Sequence, residues 1–393
     1  MKNFIYISPN FPENHWNFCD RLKKNGINVL GIGDAPYDYL SDDLKNALNE
    51  YYKVSSLENY DEVFRAVAFF TFKYGKIDYL ETNNEYWLER DAKLREEFHI
   101  TTGFFPADMD VVKYKSLMKK NYTKAGIPVA RYHIVDDFDG CMKFIKEVGF
   151  PVVVKPDNGV GANDTHRVKN KDDLKKFFEI RENVSYIMEE YITGQVETYD
   201  AIIDSKGDPI FENGNVTVNN LMETVSENGN CCFYERAIIP DDLLEAGRKT
   251  VKAFGVKSRF VHFEFFRLTK DQPIGKKGDI VALEVNMRPP GGVAPTMMIY
   301  ANGADSYEMW ADMIAYDKTD KKRTKEGVCC FASRRDGLAF QLTPEEIREK
   351  YQEKLVEEGR VEEALSGAMA NYMFMGVFET EKEALKFAAD VLK

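Results

Sequence analysis

The sequence lacks the patterns that identify several common classes of protein. Its 393 residues include six cysteines, none of them in Cys-x-x-Cys spacing, so we expect no zinc site and predict reduced thiols in a cytoplasmic protein. No apolar run approaches the ~20 residues that cross a bilayer. The short apolar run at residues 4–8 indicates a buried strand rather than a signal peptide. A net charge of −12 argues against a general nucleic-acid binder.

Two common nucleotide-binding motifs are also missing. The P-loop pattern does not occur in the chain. A glycine-rich dinucleotide fingerprint should follow the first strand of an NAD-binding domain, but Ser8-Pro9-Asn10-Phe11-Pro12 stands there. An NAD-dependent oxidoreductase is therefore disfavoured.

Three sections of the chain differ in the structure that they favour. Strand and helix signals alternate up to about residue 100, which indicates parallel βαβ units of a Rossmann-like kind. The next section has a lysine-bearing helix that ends at Gly126, then a strand at 150–156 and a glycine-bearing loop. From about residue 186 strand signals dominate, notably at 197–203, 259–268 and 279–286. We predict an α/β fold, α+β in its C-terminal part, with domains at 1–100, 101–187 and 188–393.

Acidic residues interrupt two of the predicted C-terminal strands. Side chains two residues apart share a face of a strand, so Glu284 and Asn286 should lie side by side, with Ile280 and Ala282 behind them. Glu264 lies in the strand at 259–268, on the same face as His262. Carboxylate and amide oxygens are ligands that magnesium prefers. On periodicity alone, pairing with arginines or exposure to solvent explains these acids equally well.

Basic residues and glycines supply candidate anion contacts. Lys155 ends a strand with a buried pattern and precedes a loop that contains Gly159 and Gly161. Such a loop could close over a nucleotide. Arg288 follows the strand at 279–286 and leads into Pro289-Pro290-Gly291-Gly292, where a guanidinium could hold a phosphate or a carboxylate. An ordinary turn with a surface arginine is the alternative.

The order of these features resembles the ATP-grasp superfamily, in particular carboxylate–amine ligases, carbamoyl-phosphate-synthase-like proteins and biotin carboxylase. The resemblance covers essentially the whole chain and implies a Rossmann-like pre-ATP-grasp domain followed by a two-lobed ATP-grasp fold. It rests on the segment from Lys115 to the Gly126-Ile127-Pro128 turn, on residues 150–156, on the hinge-like residues 188–194, and on Glu264 with Glu284-x-Asn286.

The resemblance implies a role for each of these residues. Magnesium, or manganese, would be held by Glu264, Glu284 and Asn286. Arg288 and Lys155 would act on the transferred phosphoryl group, and Glu197 would bind ribose hydroxyls. The remaining nucleotide contacts would come from Lys115, Lys155, Gly159, Gly161 and the hinge residues Glu189, Glu190, Tyr191 and Ile192, with adenine bound by backbone groups of Glu189 and Ile192.

The reaction that the resemblance implies is ATP-dependent ligation of a small-molecule carboxylate to an amine through an acyl phosphate. The alternatives are a carboxylase, a thioester-forming ligase and a non-catalytic ATP-binding protein. The covering loop at 157–165 is less glycine-rich than that of biotin carboxylase and no biotin-carrier segment follows, which favours a stand-alone ligase. Residues 213–236 are expected to shape the substrate pocket, and a homodimer is an expectation from the relatives. No nucleic-acid or membrane partner is expected.

Overall fold

The structure is a computed structural model that describes residues 1–159, 164–219 and 228–393. Over these residues the strands form three sheets, of four, four and eight strands. The first sheet is parallel and the other two are antiparallel. The predicted α/β class, with α+β character towards the C-terminus, is confirmed.

The first sheet is the predicted Rossmann-like unit, with strand order β3-β2-β1-β4. Every residue of β1 and β2 is buried, because apolar side chains of helices cover both faces. The strands are Asn3–Ile7 (β1), Asn28–Gly33 (β2), Glu50–Lys53 (β3) and Tyr79–Glu81 (β4). The helices are Trp16–Lys24, Asp42–Ala47, Tyr60–Tyr74 and Leu88–Glu97, with short 3-10 turns at Glu13–His15, Tyr37–Tyr39 and Glu85–Trp87.

The lysine-bearing segment is two helices, Pro106–Lys113 and Lys115–Lys124, where the sequence predicts one. Tyr114 between them has extended backbone. Asp157 explains the break, because its carboxylate accepts from the Ser116 backbone at 2.8 Å and from the Ser116 hydroxyl at 2.7 Å. The second helix therefore starts at Lys115, beside the loop that follows residue 156.

The four-stranded antiparallel sheet has the order β5-β8-β6-β7. Two helices pack on it, and their shared core contains Phe144, Leu174 and Phe177. The strands are Tyr132–Ile134 (β5), Val152–Pro156 (β6), His166–Val168 (β7) and Tyr186–Glu190 (β8), and the helices are Phe138–Val148 and Lys171–Ile180.

The eight-stranded sheet has the order β13-β12-β9-β10-β11-β14-β16-β15. Its strands are Gly194–Ile203 (β9), Pro209–Thr217 (β10), Cys231–Glu235 (β11), Arg259–Leu268 (β12), Ile280–Asn286 (β13), Val328–Arg334 (β14), Leu355–Arg360 (β15) and Tyr372–Phe378 (β16). The accompanying helices are Asp241–Ala253, Ala294–Asn302, Ser306–Tyr316, Pro344–Tyr351, Glu363–Met369 and Glu381–Leu392. Thr343 and Thr380 make capping boxes at the starts of Pro344–Tyr351 and Glu381–Leu392.

The cores join sections that are distant in sequence. Met118 and Tyr122 pack with Val261 and Phe263 of the eight-stranded sheet, so residues 101–131 lie against that sheet. Trp310 packs edge-on against Phe4 and Phe18 of the first sheet's layer. The boundary expected at 187 also falls inside β8. We propose a boundary after residue 190 in its place.

Two predictions from the composition concern membrane-spanning segments and the state of the cysteines. In the described part of the chain no helix combines the length and the apolar character needed to cross a membrane. All six cysteines are buried and unbridged.

Candidate active site

Two neighbouring strands bring together the three residues predicted to hold a metal. β12 and β13 are antiparallel, and their register places Glu264 opposite Glu284 and His262 opposite Asn286. Directly paired residues share a face of a sheet. Asn286 Nδ2 also donates to Glu264 Oε1 at 3.4 Å. Two carboxylates and one amide therefore face the same space.

A bulge in β13 changes the expected surroundings of these residues. Glu264 pairs with Glu284 but Phe265 pairs with Ala282, so Leu283 is an extra residue in β13. Ala282 and Ile280 consequently pack in the apolar core on the opposite face of the sheet. The sequence predicts both residues on the acidic face, which is the face that carries Glu264, Glu284 and Asn286, because strict alternation along a strand does not allow for a bulge.

A buried histidine and aspartate support Glu264 from behind. Asp200 Oδ1 lies 2.6 Å from His262 Nδ1, and His262 Nε2 lies 3.4 Å from Glu264 Oε1. Burial alone lowers the pKa of His262, but the two carboxylates raise it to about 9. Burial raises the pKa of Glu264, yet His262, Arg288 and Lys155 bring it below its usual value. Glu264 is thus ionised at neutral pH, as a metal ligand must be.

Lys115, at the start of the helix Lys115–Lys124, contacts Glu284 on the acidic face. Its Nζ lies 3.2 Å from Glu284 Oε1 and donates to the Gly159 carbonyl at 3.0 Å. Burial alone lowers the pKa of Lys115, but the Glu284 carboxylate outweighs it and the pKa rises. A permanently charged ammonium therefore faces the carboxylates. Gly161 lies outside the described residues, whereas Gly159 follows β6 as predicted.

Lys155 shares a carboxylate with a second lysine that sequence reasoning missed. Lys155 Nζ lies 3.3 Å from Glu189 Oε2, and Lys119 Nζ lies 3.1 Å from Glu189 Oε1. Burial alone raises the pKa of Glu189, but the two lysines lower it to about 2. Burial lowers the pKa of Lys119. The sequence signal that could have identified Lys119 is its spacing from Lys115, because residues four apart lie one helical turn apart on the same face.

The hinge residues have different environments. Glu190 accepts from Arg131 Nε at 2.9 Å, and the Arg167 guanidinium lies 4.4 Å from the centre of the Tyr191 ring. Ile192 is buried in a small apolar cluster that also contains Ala130, Leu268 and Val281. An apolar cluster between two sheets suits a flat aromatic ring such as adenine.

The structure does not place Glu197 on the same face of the sheet as Glu264, Glu284 and Asn286. Glu197 pairs with Phe265, which lies in the core on the face opposite Glu264. Arg236 NH2 lies 2.6 Å from its Oε1, and Arg267 Nε lies 3.0 Å from its Oε2. The Glu197 side chain is therefore held in a buried ion pair on the face of the sheet opposite Glu264, and its predicted contact with ribose stays a prediction.

The segment expected to shape the substrate pocket is described only in part. Asn213 and Asn215 both donate to Glu235, and Asn302 donates to Asn213 at 2.9 Å. These side chains form a buried polar network on the acidic face, next to Asp200. Residues 220–227 of that segment lie outside the described residues.

Arg288 faces a residue of the first domain that sequence reasoning also missed. Its Nε lies 3.8 Å from Glu85 Oε2, and its NH1 donates to the Pro289 carbonyl at 2.7 Å. Glu85 Oε1 lies 3.0 Å from Lys113 Nζ. Lys113 is thus paired with Glu85, whereas Lys115 contacts Glu284. No local sequence pattern links position 85 to position 288.

Comparisons with known proteins agree with this geometry. Residues 120–289 match the model of a family described as the ATP-grasp domain. Over 154 residues the chain is 27% identical to the C-terminal section of the carbamoyl phosphate synthase large chain of Methanopyrus kandleri, covering 38% of this chain and 27% of that protein. Over 289 residues it is 23% identical to the L-arginine-specific L-amino acid ligase of Bacillus subtilis, covering 71% of this chain and 68% of that one.

A solved structure matches along the whole length. The L-amino acid ligase from Bacillus licheniformis superposes with a TM-score of 0.74 at 15% sequence identity, covering 100% of this chain and 97% of that one. The predicted ATP-grasp resemblance and fold class are thereby confirmed.

Proposed function

We propose that this chain, which carries an ATP-grasp domain at residues 120–289, is an ADP-forming ligase that joins a carboxylate to an amine through an acyl phosphate. Similarity to an amino acid ligase over 71% of the chain supports amino acids as substrates. ATP and magnesium are the proposed cofactors.

One observation carries the proposal: ammonium groups beside the small sheet face carboxylates of the large sheet. Lys115 is 3.2 Å from Glu284, and Lys155 lies close enough to Glu264 to lower the pKa of that carboxyl. Ammonium groups bind phosphates, and paired carboxylates bind a divalent cation. A magnesium nucleotide carries both charges. Its phosphates can take the place of the carboxylates beside the lysines, and its magnesium ion can take the place of the ammonium groups beside the carboxylates.

The donor set fits magnesium. Glu264 and Glu284 supply carboxylate oxygens and Asn286 supplies an amide oxygen, which leaves further positions for water and for phosphate oxygens. Bound there, magnesium would offset negative charge on the phosphates during transfer. His262 and Asp200 hold the Glu264 carboxylate in place from behind.

The first half-reaction would activate the acid. A carboxylate oxygen of the substrate attacks the γ-phosphorus of ATP, the bond to the bridging oxygen breaks, and ADP leaves. Lys115 and Lys155 would hold the phosphates in line, so the chain contributes positioning and charge. Arg288, whose guanidinium faces the same space as Glu264, would hold the acyl phosphate.

The second half-reaction would form the amide. The lone pair of a neutral amine attacks the acyl carbon, phosphate leaves with the C–O bonding electrons, and the amine's extra proton passes to solvent. No nucleophile from the protein is needed. Burial raises the pKa of Cys141 to about 11 and of Cys231 to about 12, so these thiols do not supply a thiolate at neutral pH.

The test measures release of ADP and phosphate with magnesium ATP, across a panel of amino acids and small carboxylic acids, with and without amines. We expect acid-dependent release in the native protein and a loss of about 100- to 1,000-fold in Glu284→Ala. Exposed Glu245, which pairs with Lys249 on the surface, gives the matched Glu245→Ala control.

Other outcomes separate the alternatives. Release that needs bicarbonate and no amine would indicate a carboxylase, and release that needs coenzyme A would indicate a thioester-forming ligase. Binding of ATP without turnover across the whole panel would indicate a non-catalytic protein. Failure to bind ATP would contradict the proposal outright.

A further inference from the structure

The pocket beside Arg288 contains acceptor atoms without partners. Glu85 Oε2 is buried and accepts no hydrogen bond from the described residues: Arg288 Nε, at 3.8 Å, lies beyond hydrogen-bond distance, and Lys113 holds Glu85 Oε1. Asn14 Oδ1 is also buried without a partner, while its Nδ2 donates to the Gly292 carbonyl at 2.8 Å. Both residues follow strands of the first sheet, β4 and β1, which are neighbours in that sheet. A buried acceptor without a donor costs free energy, so such atoms mark a place for a donor.

Both acceptors adjoin the same turn of the large lobe. Glu85 lies 3.8 Å from Arg288, and Asn14 contacts Gly292 four residues later. His15 is next to Asn14, and its pKa is lowered first by burial and then by the nearby Arg288 guanidinium. The turn from Arg288 to Gly292 and the segments after two strands of the first sheet therefore meet at one polar site.

We propose that Glu85 binds the α-ammonium group of the acid substrate, which is therefore an α-amino acid, while Arg288 binds its carboxylate. This inference rests on the proposed ligase function and adds to it the residue that selects an α-amino acid over other carboxylic acids. An ammonium brings three N–H donors, and the pocket offers a carboxylate oxygen and an amide oxygen without donors.

The spacing of charges supports an α-amino acid. One carbon separates the ammonium and carboxylate of such a substrate, so its two charges can meet a complementary pair whose atoms are 3.8 Å apart. A simple carboxylic acid would satisfy Arg288 and leave Glu85 Oε2 buried without a partner. A site built to bind an N–H donor rejects analogues that lack it.

The chemistry of the second step explains which amine Glu85 holds. The acceptor amine must be neutral to attack, and a carboxylate stabilises the protonated form of an amine beside it. Glu85 therefore suits the amino group that must not react, the one on the acid being activated. The same contact would hold that amine away from the acyl carbon of a second molecule.

The experiment compares an amino acid with the 2-hydroxy acid that has the same side chain. Hydroxylamine serves as the acceptor, because it traps acyl phosphates and removes the natural amine as a variable. For the amino acid active in the ADP-release panel, Glu85→Gln should lower kcat/KM by roughly 10- to 100-fold. For its hydroxy acid we expect a change of less than about threefold, because the missing contact was never made.

Two further variants separate recognition from folding. Glu85→Asp keeps the charge and should retain part of the preference for the amino acid. Glu81→Gln is the matched control, since Glu81 is a buried acid four residues earlier that pairs with Arg95 at 3.3 Å and with Arg259. We expect that control to lower Tm and to leave the ratio between the two acids unchanged.

The outcomes are distinct. An equal loss for both acids in Glu85→Gln would show that Glu85 only orients Arg288, and no loss for either would show that it is not in the site; both contradict the inference. A native protein that turns over simple carboxylic acids as well as amino acids contradicts it too, while leaving the ligase proposal intact. A native protein that forms no hydroxamate or ADP with any acid overturns both.

Discussion

Glu197 and Glu264 lie on neighbouring strands of one sheet, yet their carboxylates have opposite surroundings. Glu197 faces the apolar core and is held by two guanidinium groups, at 2.6 Å and 3.0 Å. Glu264 faces the other side, where its nearest donors are His262 and Asn286, both at 3.4 Å. An acid clamped by two arginines serves stability, whereas an acid with long, weak contacts can exchange them for a cation.

The same division runs along whole strands. On one face of β12, Val261, Phe263 and Phe265 pack in the core, and on the other His262 and Glu264 line the candidate site. Each strand of the pair therefore contributes alternate residues to packing and to chemistry. The role of an acid in this sheet follows from the face on which it lies.

Replacing Glu197 gives the strongest test of this contrast between the two acids. Glu197→Gln removes the buried carboxylate that two guanidinium groups share and leaves Arg236 with Glu381 and Arg267 with Asp242, both more exposed acids, so we expect the free energy of unfolding to fall by about 3 kcal/mol. The dissociation constant for ATP should stay unchanged. Chemical denaturation and nucleotide titration measure the two quantities.

Glu381→Gln is the matched control, because Glu381 pairs with the same Arg236 at 3.1 Å but its side chain is 40% exposed. We expect it to cost less than about 1 kcal/mol. A fall in ATP affinity specific to Glu197→Gln would restore the ribose-binding role that the sequence predicts.

A second contrast separates Glu264 from Glu235 on the acidic face itself. Glu235 is held by the amides of Asn213 and Asn215, and no ion pair joins it to a lysine or arginine among the described residues. Burial first, and then the charge of Asp200, raise the pKa of Glu235 to about 8, from an ordinary 4.5. Because the folded state binds this proton more tightly, the stability that it contributes is complete below pH 4.5 and is lost as pH rises to about 8.

Replacing Glu235 with neutral glutamine should remove this dependence. We expect the stability of Glu235→Gln, relative to the native protein, to increase by about 2 kcal/mol between pH 5.5 and pH 8. Urea denaturation at several pH values checks it, with exposed Glu245→Gln following the native curve. A constant difference across this range would mean that Glu235 is ionised in the folded state.

The smallest expected effect concerns the lysine side of the site. Lys119→Met removes one of the two lysines that form ion pairs with Glu189 in the described part of the chain, so Glu189 should bind Lys155 more strongly and hold it away from phosphate. We expect KM for ATP to rise by roughly tenfold with a smaller change in kcat, since a charged hydrogen bond is redirected. Lys120 is exposed and adjacent, so Lys120→Met is the control. A fall in kcat alone would indicate that Lys119 acts on the transferred phosphoryl group.

Much of the fold follows from local sequence signals. The strand predicted at 259–268 is Arg259–Leu268, and the strand predicted at 197–203 lies within Gly194–Ile203. Periodicity also predicts that Glu284 and Asn286 share a face, and the register across β12 adds Glu264 to them. The family resemblance grouped Glu264 with Glu284 and Asn286 as metal ligands, but the pairing of β12 with β13 was not predicted, because alternation within a strand does not identify its neighbour.

The parts that sequence missed depend on non-local contacts. Asp157 breaks the helix at Tyr114 from more than forty positions away, and the bulge at Leu283 appears only in the register with β12. The face of Glu197 depends on the same register. Glu85 reaches Arg288 through the packing of two domains.

The order of the large sheet limits where the chain can be cut. The ATP-grasp match ends at residue 289, but β14 begins later and pairs with β11 from Cys231 to Glu235. A fragment that stops at 289 would leave β11 as an edge strand with unpaired N–H and C=O groups, and such edges promote aggregation. The segment that sequence families delimit is thus shorter than the unit that can fold, which must continue at least to the end of β16 at Phe378.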